Sequence, residues 1–166
     1  MTAPGYRPAM PKAEPKEPST DDDAKATSPD RPDRPTASAL RDGWWLLAVF
    51  LPFGLFLESL HALKVPVYLR SELRRELWTL AHAHGNLLGL LCLAFAALGQ
   101  RTIPSAKARG ATARLLVFGA WLMPLGFFTG GVMNTEGDPS FGIIAVPLGG
   151  ILLLIALFRA ALAVRE

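Results

Sequence analysis

Residues 78–99, WTLAHAHGNLLGLLCLAFAALG, open a long apolar run with His82, His84 and Asn86, set among Gly85 and Gly89. The third histidine, His61, closes the preceding apolar run three residues after Glu58. Neutral imidazoles together with a carboxylate are ligands for a transition metal or for haem iron. The pattern marks His82 and Glu58 as cofactor-binding residues. His82 with His61 would serve as metal ligands, in the manner of a two-histidine, one-carboxylate site. Asn86, one turn along from His82, is placed to touch a bound water or substrate, and Asn134 and Asp138 are the other candidate catalytic residues. There is no C-x-x-C-H, so haem would not be covalently attached. There is also no H-E-x-x-H, no G-x-S-x-G and no phosphate-binding glycine loop, which argues against hydrolase and nucleotide-dependent chemistry.

The elements that must carry these residues are membrane spans. A hydrocarbon core takes about 20 residues of helix, and four runs come within a few residues of that, at 43–62, 78–99, 115–133 and 140–161. Trp44 and Trp45 fit an interfacial anchor. Pro52 and Pro124 predict kinks that neighbouring helices can tolerate. In the first connection Pro66 breaks the helix. Ser71 then caps a short surface helix, SELRREL, with Arg74 spaced to pair with a glutamate and with Tyr68 and Trp78 at headgroup depth. Asp138 as N-cap and Pro139 at the first helical position start the fourth span.

Residues 1–42 are unlike the rest. They hold eight of the fourteen prolines and fifteen charged residues. Such a segment buries too little apolar surface to offset its ordering entropy and reads as a disordered tail. The averages, 51% hydrophobic, 19% charged and a mean hydropathy of +0.29, blend two dissimilar parts. The fold class expected is therefore an all-α membrane protein, a four-transmembrane-helix bundle with a disordered N-terminal tail. The net charge of +3 does not indicate nucleic acid, because the basic residues alternate with acids in the tail or flank apolar spans. The expected partner is the lipid bilayer. Cys92 is the one cysteine, so no intramolecular disulfide forms.

Charge sets the expected orientation. Arg31, Arg34, Arg41, Arg101, Lys107, Arg109, Arg114, Arg159 and Arg165 fall on the side of the termini. Lys64, Arg70, Arg74 and Arg75 fall on the other. The positive-inside rule then places both termini in the cytoplasm, across the inner membrane. All three histidines come to the outer end. Helical spacing groups His82, Gly85, Asn86 and Gly89 on one face, with His84 about 200° away among lipid-interface residues. Gly54 leads by four to Glu58, Gly130 by four to Asn134, and Asp138 by four to Gly142. Glycine faces let helices approach closely. On this reading Glu58, His61, His82, Asn86, Asn134 and Asp138 converge in one outer pocket, and the glycine faces also offer a route to a homo-oligomer.

At AHAHGNLLGLL the chain resembles the small four-helix bacterial membrane proteins of the hydroxylaminobenzene mutase and styrene oxide isomerase family. Ala81, His82, Gly85 and Gly89 match that family's pattern. The family asparagine would fall on Leu88, whereas this chain has Asn86, and neither tyrosine, Tyr6 or Tyr68, lies in the third span. The resemblance implies haem b held by His82 and an isomerase- or mutase-like reaction on a small apolar substrate. Two functions stay open. One is an enzyme or redox protein with haem or a metal. The other is a non-catalytic anchor or accessory subunit whose tail binds a partner. A transporter fits less well, because the polar residues sit at one end and not at the midplane.

Overall fold

The structure, a computed structural model, describes residues 33–135 and 137–163. Its helices are α1 (Arg34–Ala62), the single-turn α2 (Pro66–Leu69), α3 (Glu72–Thr102), α4 (Ala106–Val132) and α5 (Ala145–Ala163). A 3₁₀ turn, Phe141–Ile144, leads into α5. Among the described residues there is no strand, only an isolated bridge between Thr135 and Asp138. The helices α1, α3 and α4, and the 3₁₀ turn with α5, are long and apolar enough to cross a membrane. The chain is thus an all-α, four-span membrane protein.

Each span differs in detail from the sequence expectation. The first helix begins well before residue 43. Asp33 caps it, accepting the Thr36 amide at 3.1 Å, and Pro35 fits the first turn, where its missing N–H is no loss. Residues 34–42, assigned to the tail on charge, are helix, with Thr36 and Ala39 fully buried. Residues 1–32 of the expected tail lie outside the described residues.

In the second span Ser71 is the N-cap, as expected, with its hydroxyl accepting the Arg74 amide. However, SELRREL is no separate surface helix. With neither proline nor glycine between Ser71 and His84, nothing stops the helix, and it runs on to Thr102. Arg74 also departs from expectation. It donates to the Gly131, Val67 and Val132 carbonyls and lies over the Trp78 ring, capping the C-terminal end of α4 where a glutamate partner was anticipated. Trp78 stacks between Tyr68 and Phe128 and donates Nε1–H to Phe128 O at 3.1 Å.

In the fourth span Asp138 does not cap the helix. It exchanges backbone hydrogen bonds of 3.1 Å with Thr135 around Gly137, whose φ of +85° only glycine adopts freely. The 3₁₀ turn then starts after Ser140. Pro52 and Pro124 lie inside continuous helices.

The helices pack in a chain, α1 on α3, α3 on α4 and α4 on α5, with α1 also reaching α4. Among the described residues α5 makes no comparable contact with α1 or α3. The core is Leu46, Phe50, Ala81, Leu88, Cys92, Leu116, Ala120, Leu153 and Ala156. Several glycines of the spans receive a neighbouring helix of the same chain. Gly85 takes Phe50, Gly89 takes Gly43, Gly131 takes Trp78 and Gly126 takes Val146.

One end of the bundle is locked by charge. Arg109, at the first turn of α4 and 7% exposed, donates Nε–H to Asp33 Oδ2 at 2.7 Å, and its Nη2 pairs with the same oxygen. Its Nη1 reaches the Ile103 and Pro104 carbonyls. The Thr36 hydroxyl donates to Asp33 Oδ1 at 2.6 Å. Burial alone would raise the Asp33 carboxyl. The bonds from Arg109 and Thr36 outweigh it and hold the group at about 2, below its ordinary 3.8.

Candidate functional site

At the other end lies a groove of about 880 Å³ between α1 and α3, and His82 sits in its wall. The imidazole occupies the space over Gly54. A Cβ added at residue 54 would come within 2.2 Å of His82 Cε1. His82 Nδ1 lies 2.7 Å from Phe50 O. A carbonyl oxygen only accepts, so Nδ1 carries a proton, and in the neutral ring Nε2 keeps the lone pair. Nε2 has no hydrogen-bond partner among the described residues. It is not one of the sealed unpaired atoms either, so it opens onto the groove.

Asn86 holds this histidine from behind. Its Nδ2 donates to His82 O at 2.8 Å and lies 3.2 Å from His82 Nδ1. Both of those nitrogens are donors, so the bond that counts is the one to the carbonyl. Asn86 Oδ1 is sealed from solvent and has no partner among the described residues. Turning the amide over would set that oxygen against His82 O. The observed orientation is therefore the better one, and Asn86 acts on His82 without lining the groove.

Of the residues expected to converge, Glu58, His61 and His82 line this one groove. His61 stands edge-on to Tyr68, with ring centroids 5.6 Å apart. Asn134 and Asp138 do not join them. Asn134 donates to Ser71 Oγ at 2.9 Å in a separate hollow beside Arg70 and Arg74. Asp138 is exposed in the turn before the 3₁₀ segment and borders another hollow with Phe128 and Phe141. The reason is the path of the chain. The end of α4 is held down on Ser71 and Arg74, and the tight turn at Gly137 carries Asp138 away. His84 packs 4.9 Å from the Phe127 ring of α4 and bonds back to Leu80 O.

Sequence reasoning missed Tyr68, Arg75, Glu76 and Thr79, which also line the groove. The signal was available. Arg75, Thr79, His82 and Asn86 are spaced four, three and four apart, on one face of a helix, provided α3 begins before Trp78. Ending the helix at the connection hid that face.

Metal chemistry can be tested against these groups. Among the described residues no three His, Cys, Asp or Glu side chains gather to hold a metal ion. The two-histidine, one-carboxylate arrangement of His61, His82 and Glu58 is therefore not assembled. A haem asks less of the protein: His82 is the residue that would hold its iron, with Nδ1 tied to a carbonyl as in ligating histidines. The rim suits haem less well. Glu58 and Glu76 make no ion pair among the described residues and would face the haem's own carboxylates.

No protein family, curated protein or solved structure matches this chain. The likeness to the mutase and isomerase family rests on the string around His82 alone.

Proposed function

We propose that this protein is a multi-pass membrane protein that takes a small lipid-phase molecule into the groove between α1 and α3, with His82 as the group that meets it. The observation that carries the reading is His82 itself. Its ring is fixed by Phe50 O, fitted over Gly54 and left with an accessible Nε2 in a groove walled by Leu51, Leu55 and Leu80. An ionisable residue within a span is costly and belongs to a functional cavity. The free lone pair can accept a hydrogen bond, take a proton or bind iron. With both termini cytoplasmic, as the flanking charges favour, the groove opens to the outer leaflet of the inner membrane.

Haem is the second reading, favoured by the tie between His82 Nδ1 and a backbone carbonyl. When bound it would supply redox or Lewis-acid chemistry, and His82 is the residue that would hold it. Asn86 would keep the imidazole oriented.

The experiment is purification of the full chain in mild detergent from cells supplied with haem, with spectra and mass spectrometry of extracts. A Soret band that His82→Ala abolishes and His84→Ala retains identifies haem. A colourless protein that carries a small organic molecule, lost in both His82→Ala and Gly54→Ala, supports the first reading. Colourless wild-type and His82→Ala proteins with identical extracts would overturn both, leaving the anchor or accessory subunit as the better account.

A further inference from the structure

The groups that face the groove share a chemical sense. Glu58 and Glu76 make no ion pair and no hydrogen bond among the described residues. His82 Nε2 is an accessible acceptor. Tyr68 is 3% exposed, and its hydroxyl makes no hydrogen bond among the described residues. The sealed unpaired side-chain atoms are Asn86 Oδ1 and Asn134 Oδ1, so the Tyr68 hydroxyl keeps some accessible surface, and Tyr68 lines the groove. Arg75, the groove's arginine, spends an N–H on Leu69 O at 3.0 Å. Two carboxylates against one guanidinium leave the rim with net negative charge.

A buried phenol and two unpaired carboxylates at the edge of an apolar groove are groups waiting for donors. Glu58 and Glu76 are exposed at the rim, whereas the Tyr68 phenol is buried, and a buried hydroxyl left without a partner is unfavourable. We propose that the groove's ligand is a cationic amphiphile with a primary ammonium head. The head's three N–H donors would be met by Glu58, Glu76 and the Tyr68 hydroxyl. Its positive charge would offset the rim. The apolar tail would lie along Leu51 and Leu55, toward His82. This inference rests on the groove being the ligand site, as proposed above, and adds the sign and donor character of the head.

The test is photolabelling of the full chain in phosphatidylcholine nanodiscs. Three chain-matched probes carry a diazirine at the chain end and bear a primary ammonium, an alcohol or a sulfonate head. Labelled peptides are mapped by mass spectrometry. The ammonium probe should label residues 51–61 and 75–82 far more than the other two. The double variant Glu58→Gln, Glu76→Gln should lower that labelling about tenfold, as two exposed charge contacts would, and leave the alcohol probe unchanged. Tyr68→Phe should weaken the primary ammonium but not a trimethylammonium analogue, which has no N–H to donate. Equal labelling by ammonium and alcohol, or a double variant that labels like wild type, would overturn the ammonium assignment while the groove reading stands. No labelling of those segments by any probe would overturn both.

Discussion

The two ends of this bundle treat polar groups in opposite ways. At the Asp33 end the buried charge is answered. Arg109 is buried, yet its guanidinium meets Asp33 and two backbone carbonyls, and Thr36 meets the other Asp33 oxygen. At the His82 end the groups are held but left open. Nε2, the Tyr68 hydroxyl and two carboxylates have places and no partners. A fully satisfied network fixes geometry, whereas a network with spare capacity invites a ligand. The contrast separates a part of the molecule built for stability from one built for contact.

The comparison breaks first at Arg109. Arg109→Met strands Asp33 and the Ile103 and Pro104 carbonyls, and should cost about 3 kcal/mol of stability. Equilibrium unfolding in mixed micelles measures it. A loss below about 1 kcal/mol would show that the pair is a surface contact and that the two ends do not differ.

Acid gives the next largest effect. The Asp33 carboxyl titrates at about 2 in the fold and near 3.8 when free. Its pKa is depressed, so its contribution is present in full above 3.8 and is lost as pH falls towards about 2. The total is about 2 kcal/mol. Thermal melts of wild type should fall across that window, and Asp33→Asn should lack that component.

The smallest effect sharpens the other side. Asn86→Leu removes a sealed oxygen that has no partner and a single bond to His82 O. It should change stability by less than about 1 kcal/mol in either direction, while freeing the imidazole and lowering ligand occupancy. A large loss of stability with unchanged occupancy would mean that Asn86 supports the fold and does nothing for His82.

Much of this was legible in the sequence, because a bilayer imposes a length. Four apolar runs of the right size fix four helices, and glycines at spacings of four mark the faces where helices approach. Gly54 could be read as facing inward, but not that its missing Cβ makes room for an imidazole from another helix. The start of α1 was hidden because charge near a proline looks like tail, although Asp33 caps the helix locally on the Thr36 amide. Nothing local links Asp33 to Arg109, which looked like one more loop cation. Convergence of Asn134 and Asp138 with the histidines failed because periodicity says which face a residue is on and nothing about where a turn carries it. Glu76 was missed for a simpler reason, the assumption that a charged stretch before Trp78 ends a helix.

The packing of α5 bears on how the protein is made. Spans enter the membrane one after another as they leave the ribosome, and this last one settles chiefly against α4. The groove is walled by α1, α3 and Tyr68 of the short helix between them. The ligand site can therefore be complete while the final span is still being synthesised, and a nascent chain stalled before residue 141 should already hold it.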